Sequence, residues 1–380
     1  MSKVKHVLSF LLIILSVLIF TKCANVPQMV NEINELIKEY EKKYNLDSRI
    51  AIWCIDLKFI SNSLMLTGET DHKGILDTLV KTIGKKYPNL QIVNKVNVLP
   101  DSSIGKNYYG LVNVSVASIV SDPKHPAELK TQIILGHRVL ILKESGDFYL
   151  VKGDDNYIGW ILKDCIVRGD KKFIDRWFRN KLYVFYDLEG RIYESADYSS
   201  NPISDIVMGG IVKFIGKKED WIFIELPDRR RGFIPRYQLI SYNKYKSLTP
   251  SSSRVVRLAR RMLGRPYLWG GTSTKFVDCS GLIQFIFRNL GMLLPRDADM
   301  QSKLGEPVDT SGGFSNLKPG DLLFFGNQSG EINHVALYIG NLEYIHASGM
   351  VRVNSLDEES ENFDRKRKES LKFVKRLTID

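Results

Sequence analysis

The sequence predicts a multidomain chain of α+β class: a small α+β unit, two small β-barrels, then a larger α+β domain. Three observations lead there. A length of 380 residues exceeds what one small core fills. Apolar spacing passes from a helical period to short alternating runs and back again along the chain. A turn-rich linker, SLTPSSSR (247–254), then precedes a fresh helical pattern.

Residues 1–23 read as an export signal, which places the protein in the periplasm or cell envelope. Lys3, Lys5 and His6 precede VLSFLLIILSVLIF (7–20), an apolar run too short for a comfortable membrane span. Cys23 in FTKC admits two readings. Its thiol carries a lipid that anchors the exported protein to a membrane, or the chain is cleaved nearby in the ordinary way. Lys22 stands where lipoprotein signals usually have a small residue.

Residues 24–100 form the first unit. MVNEINELIKEYEKKYN places Met29, Ile33 and Ile37 at helical spacing. RIAIWCIDLKF and SLMLTGET read as strands, HKGILDTLVKTIGKKY as a helix, and LQIVNKVNVLP as strand again. A spacer or docking module is the expectation. Residues 101–170 and 171–246 each string short β-runs between turns. LVNVSVASIV, RVLILKES and YIGWILKDCI in the first are echoed by GRIYESAD, GIVKFIGKKEDWIFIEL and RRGFIPRYQLI in the second. Cys54 and Cys165 sit in apolar runs and read as small core residues.

The net charge is +11, which suits acidic surfaces such as membranes or cell-wall polymers. The bases are scattered and no nucleic-acid motif accompanies them, so nucleic acid is not an expected partner. The cysteines form no CxxC or Cys/His cluster, so neither a metal nor another cofactor is expected.

Residues 250–380 carry the chemistry. VVRLARRMLG is helical and closes at Gly264. In VDCSGLIQF (277–285), Cys279 stands at the polar threshold of an apolar run that continues to Gly291. That is the first turn of a buried helix, where unpaired N–H groups and the helix dipole should lower a thiol's pKa. Further on, HVALYI and EYIHAS flank Gly340 and Asn341. A hairpin centred on Gly340 places His334 and His346 directly opposite on one face. One imidazole then acts as base for the thiol and the other orients it. Upstream, RPYLWGGTS offers Tyr267 and Trp269 as a pocket wall before a glycine pair. Arg296 in LPRDADMQ reads as one half of a loop-anchoring ion pair, Asp321 as a turn residue, and DEESENFDRKRKE as a solvated loop.

Taken in order, YLWGG, DCSGLIQF, LPRDADMQ, LKPGDLLFF, NHVALYIGN and YIHAS resemble the NlpC/P60 family of cell-wall cysteine peptidases, over about 250–380. The two β-rich regions resemble bacterial SH3-like domains. Together they resemble the subgroup of γ-D-glutamyl-L-diamino acid peptidases, or dipeptidyl-peptidase VI. The resemblance implies a papain-like fold with Cys279 as nucleophile, His334 as base and His346 as third residue. It implies peptidoglycan stem peptides with a free N-terminal L-alanine as substrate, held by Asp278, Ser280, Tyr267 and Trp269. Glu128 in HPAELK and Tyr157 in DNYIGW would narrow the groove from the first SH3-like domain. Two other readings stay open: an endopeptidase on intact peptidoglycan, and a non-catalytic wall-binding protein.

Overall fold

A computed structural model of the chain describes residues 26–60 and 63–378. Cys23 and the export segment lie outside the described residues, as does the question of a lipid there. No helix among the described residues is long and apolar enough to cross a membrane. The chain divides into two compact units, Met1–Ser103 and Ile104–Asp380.

In the first unit, residues 26–43 and Lys73–Lys86 are helical. Strands Trp53–Ile60 and Ser63–Thr70 pair antiparallel, and Gln91–Asn94 and Asn97–Val98 add parallel to the second of them. Ile33, Ile37, Leu64, Leu66, Leu76, Leu79 and Ile83 form its core. Strict alternation along Trp53–Ile60 turns Cys54 outward. The thiol is exposed, not a core residue, because a period of two sends alternate side chains to opposite faces.

The second unit holds three sheets. The first seven-stranded sheet runs Ile166–Gly169, Tyr109–Val112, Arg138–Ser145, Phe148–Lys152, Ile158–Leu162, Val116–Val120, Leu129–Ile134. The second runs Leu239–Ser241, Leu182–Phe185, Ile211–Lys218, Trp221–Glu225, Arg231–Pro235, Glu189–Tyr193, Pro202–Val207. Strand for strand, that is one topology built twice. Each copy turns through a 3-10 helix into its last strand, at Lys163–Cys165 and at Arg236–Gln238. Each also carries a bulge in the corresponding hairpin, between Ile141 and Lys143 and between Phe214 and Gly216. Cys165 is partly buried against the first of these cores.

The C-terminal part has a six-stranded antiparallel sheet, ordered Glu306–Val308, Leu371–Arg376, Leu322–Gly326, Ile332–Gly340, Glu343–Ser348, Met350–Ser355. The helix Cys279–Arg288 lies against it. Its residues Cys279 to Phe287 are all buried, and Leu282, Ile283, Phe285 and Ile286 share a core with Leu322, Phe324, Val335, Leu337 and Ile345. Each such side chain contributes roughly 1.5–3 kcal/mol by leaving water. The helix therefore cannot shift without dismantling the domain.

Met208, just after the strand Pro202–Val207, belongs to that same core, and Leu135, just after Leu129–Ile134, belongs to the core of the second sheet. The three parts are thus fixed by shared apolar contacts. The first sheet also meets the C-terminal part directly. Thr272 donates its N–H to Gln132 Oε1 (3.0 Å) and its hydroxyl to the Gln132 carbonyl (3.1 Å). Gly270 has φ +80°, and a Cβ there would lie 2.4 Å from the Leu129 carbonyl oxygen, so the glycine permits this approach.

Candidate active site

Cys279 opens its helix because Asp278 caps it. Asp278 is extended (φ −96°, ψ −173°), and its Oδ1 accepts the Gly281 N–H at 2.7 Å. Gly281 packs so closely on the preceding loop that a Cβ would stand 2.0 Å from the Gly271 carbonyl oxygen. Cap, glycine and buried stripe together hold the Cys279 thiol at one place beneath a cleft.

That cleft encloses about 550 Å³ and is lined by Tyr267, Cys279, His334, Ser348, Lys366 and Arg367, among others. The backbone N–H groups of Val335 and Ser280 favour the thiolate form of Cys279. His334 is buried behind it, with Nε2 placed 2.8 Å from Nδ1 of His346. His346 Nε2 lies 2.9 Å from Asn354 Oδ1, and Asn354 Nδ2 donates to the Asn362 carbonyl at 2.9 Å.

This chain of contacts fixes the tautomers. The Asn362 carbonyl needs a donor, so it settles the Asn354 amide with its NH2 toward Asn362 and its oxygen toward His346. An oxygen only accepts, so His346 carries its proton on Nε2. Its Nδ1 is then bare and accepts from His334 Nε2–H. His334 keeps an open lone pair on Nδ1, the nitrogen of a general base. Both rings are neutral at ordinary pH. Burial, then Arg367 and His346, hold His334 well below the usual imidazole range. Burial lowers His346 to about 4, against the pull of its Asn354 hydrogen bond.

The two histidines are not directly opposite. The hairpin pairs Leu337 with Ile345 and Tyr338 with Tyr344, and a bulge brings Gly340 opposite Glu343. The turn residues are Asn341 and Leu342, both at positive φ (52° and 60°), not Gly340. Continued inward, that register sets His346 against Ala336. His334 lies two residues along on the same face, and the rings meet on the diagonal.

The thiol also departs from the expectation of a lowered pKa. Burial pushes Cys279 up to about 11, the adjacent Asp278 carboxylate adds to this, and the Val335 and Ser280 N–H groups only partly offset it. At this helix start desolvation outweighs the dipole. Tyr267 is raised to about 12 by burial, with Cys279 and Asp278 contributing, so its hydroxyl stays a donor in the cleft.

The residues flanking the cysteine are already engaged. Asp278 is buried, with Oδ2 accepting from Gly270 N–H (2.9 Å) and both oxygens bonded to the Arg296 guanidinium. Ser280 donates to Asp278 Oδ1 (3.3 Å) and accepts from Arg296 (3.0 Å). Burial works against the Arg296 charge, but the Asp278 carboxylate holds it, and the guanidinium's pKa ends above its ordinary value. Asp278 therefore brings no net charge toward a ligand. Arg296 does anchor a loop, and its partner is the residue beside the nucleophile.

From the first sheet's side, Glu128 Oε1 accepts the Trp269 indole N–H at 2.7 Å, and Tyr157 donates to Asp297 Oδ2 at 2.9 Å. Both Glu128 and Trp269 are exposed. No ion pair to Glu128 occurs among the described residues, so it presents an uncompensated carboxylate. Asp321 is a turn residue that also binds Arg376 through both oxygens (2.7 Å each).

Three site residues escaped the sequence reading. Asn354 looked like any strand asparagine. Lys366 and Arg367 lie in the tail that read as a solvated loop, yet Arg365–Ser370 is a short helix whose side chains reach the cleft.

Residues 264–366 match the NlpC/P60 family, and residues 119–166 match the bacterial dipeptidyl-peptidase Sh3 domain. A gamma-D-glutamyl-L-lysine dipeptidyl-peptidase of Bacillus cereus is 26% identical over 231 residues, covering 58% of this chain and 67% of that protein. A dipeptidyl-peptidase 6 of Lysinibacillus sphaericus is 27% identical over 259 residues, covering 66% and 92%. Among solved structures, an NlpC/P60 family protein from Bacillus cereus shares the fold, with a TM-score of 0.61 at 21% identity over 71% of this chain and 99% of that one.

Proposed function

On the premise that the chain carries an NlpC/P60 domain behind a bacterial SH3 domain, we propose that it is a cell-wall cysteine peptidase of dipeptidyl-peptidase type. Its substrate is a peptidoglycan stem peptide with a free N-terminal L-alanine, cut at the γ-D-glutamyl–diamino acid bond. The observation that carries this reading is the cleft lined by both Cys279 and His334, the latter backed by His346 and Asn354.

With both groups neutral at rest, His334 Nδ1 takes the thiol proton as sulfur attacks the γ-D-Glu carbonyl carbon. The oxyanion meets N–H groups at the helix start, with the Tyr267 hydroxyl as a further donor in the cleft. The imidazolium returns the proton to the leaving amine, which departs as the diamino acid portion. Water, deprotonated by His334, then hydrolyses the thioester and regenerates the thiol. Trp269, Tyr157 and Glu128 wall the amino-terminal side of the substrate site. The Glu128 carboxylate is the charge that meets the substrate's ammonium group, while Asp278, neutralised by Arg296, and Ser280 shape the pocket floor.

The test is purified protein under reducing conditions with L-Ala-γ-D-Glu-diaminopimelate, free and N-acetylated. Cleavage of the free peptide, with the acetylated form slower by at least about a hundredfold, is expected from loss of a charge-assisted contact and a blocked pocket. An uncut free peptide overturns the peptidase reading. Equal rates would move the assignment to an endopeptidase acting on intact stems.

A further inference from the structure

The lining of the cleft carries an unbalanced charge. It includes Lys366 and Arg367 but no aspartate or glutamate. Neither side chain has an ion pair or side-chain hydrogen bond among the described residues. Arg367 instead rests its guanidinium over the Phe325 ring, 5.8 Å from the centroid. The nearby acids are otherwise occupied: Asp364 caps the short helix by accepting the Arg367 N–H (3.0 Å), and Glu331 is held by Asn327 (2.7 Å). The Arg367 guanidinium, with no ion pair among the described residues, opposes protonation of the buried His334 imidazole, and an anion seated on it would relieve that opposition.

On the peptidase reading Glu128 meets the substrate's amino terminus; it lies outside the lining that holds Lys366 and Arg367, which leaves these two for the portion that departs. We propose that Lys366 and Arg367 form a carboxylate-binding subsite for the diamino acid portion. This rests on the peptidase reading and adds the recognition of its leaving group. Arg367 offers a planar fork to a carboxylate, and Lys366 adds a second, mobile charge. Asn333 adds a neutral polar group to the same lining. A bound carboxylate also neutralises Arg367 beside His334, so the base gains proton affinity only when a proper substrate is seated.

Two carboxylates could supply this chemistry: the α-carboxylate of a terminal diamino acid, or the side-chain carboxylate that diaminopimelate has and lysine lacks. Four peptides L-Ala-γ-D-Glu-X separate them, with X as diaminopimelate, diaminopimelate amidated on its side chain, lysine, and lysine amide. Lysine amide should fall below lysine in kcat/KM by about 10- to 100-fold if the α-carboxylate is bound. A comparable loss on amidating diaminopimelate's side chain assigns the subsite to that group instead. Either loss should shrink to within about threefold in Arg367→Gln or in Lys366→Gln/Arg367→Gln, the ratio being taken within each variant so that a general change in His334 cancels. Should a variant lose all turnover, the wild-type series decides alone. Cleavage of all four peptides at one rate overturns the subsite and leaves the peptidase intact, as does a preference undiminished in the variants. Cleavage of none overturns both.

Discussion

His334 Nε2 and His346 Nδ1 stand 2.8 Å apart, and Asn354 decides which of the two carries the shared proton. The asparagine acts only through His346, so its removal should leave substrate binding alone and disturb the base. Asn354→Ala is expected to lower kcat by about 10- to 100-fold with little change in KM, since a wrong tautomer idles an otherwise intact catalytic histidine. Asn354→Asp keeps the acceptor and should retain more activity than the alanine. An alanine variant with unchanged kcat would show that the tautomer is fixed by something else.

The resting pair is a thiol and an imidazole, both uncharged, and this has a kinetic signature. With Cys279 raised to about 11, thiolate is scarce at neutral pH and grows about tenfold per pH unit. Inactivation by iodoacetamide should climb continuously from pH 7 to pH 10. A plateau already reached below pH 7 would mean a preformed thiolate–imidazolium pair. On the acid side the sign runs the other way. His334 is held below its ordinary value, so it stays neutral as pH falls through 6.5, and kcat/KM should persist there before declining.

Arg296 and Asp278 form a buried pair at the start of the nucleophile helix. Removing one partner strands the other's charge out of water. Arg296→Met should therefore destabilise the protein by about 3–5 kcal/mol, seen as an earlier urea midpoint. Asp278→Asn with Arg296→Met should recover much of that, because the amide oxygen still caps the helix and no charge is left alone. The single variant should also alkylate more slowly, as an unneutralised Asp278 pushes the thiol further up. A single variant as stable as the wild type would remove the pair from the site's architecture.

The legible and illegible parts of this site divide by range. An apolar stripe beginning at Leu282 after a polar threshold is local information, and it placed Cys279 at a helix start. The two histidines, one in each apolar run flanking a turn signal, were also local. Their register was not, because Gly340 looks like the turn centre, whereas it ends its strand at a bulge opposite Glu343 and the turn itself is Asn341 and Leu342. The thiol's environment was missed for a related reason. A helix start is visible in sequence, but the desolvation that outweighs it comes from a sheet whose strands lie tens of residues away. The helix Arg365–Ser370 has six residues, too few for a period to register, so its cations read as solvent-facing charge. Asn354 and Arg296 acquire their roles only through partners on other elements.

Glu128 offers the sharpest separation between bracing and binding. Its carboxylate accepts the Trp269 indole N–H at 2.7 Å, which ties the first sheet to the loop before the nucleophile. A glutamine there keeps an oxygen acceptor and the same length, so the brace survives in Glu128→Gln while the charge is lost. If the residue only braces, kcat/KM for the free-amine peptide should be unchanged. If its charge meets the substrate's ammonium, that value should drop by about 10- to 100-fold, while an N-acetylated peptide, having no charge to lose, is cut no more slowly than before. The free-to-acetylated ratio is the quantity to follow, since a change in loop position would lower both substrates together. A ratio unmoved in the glutamine variant would assign the ammonium group to another partner and leave Glu128 as a structural strut.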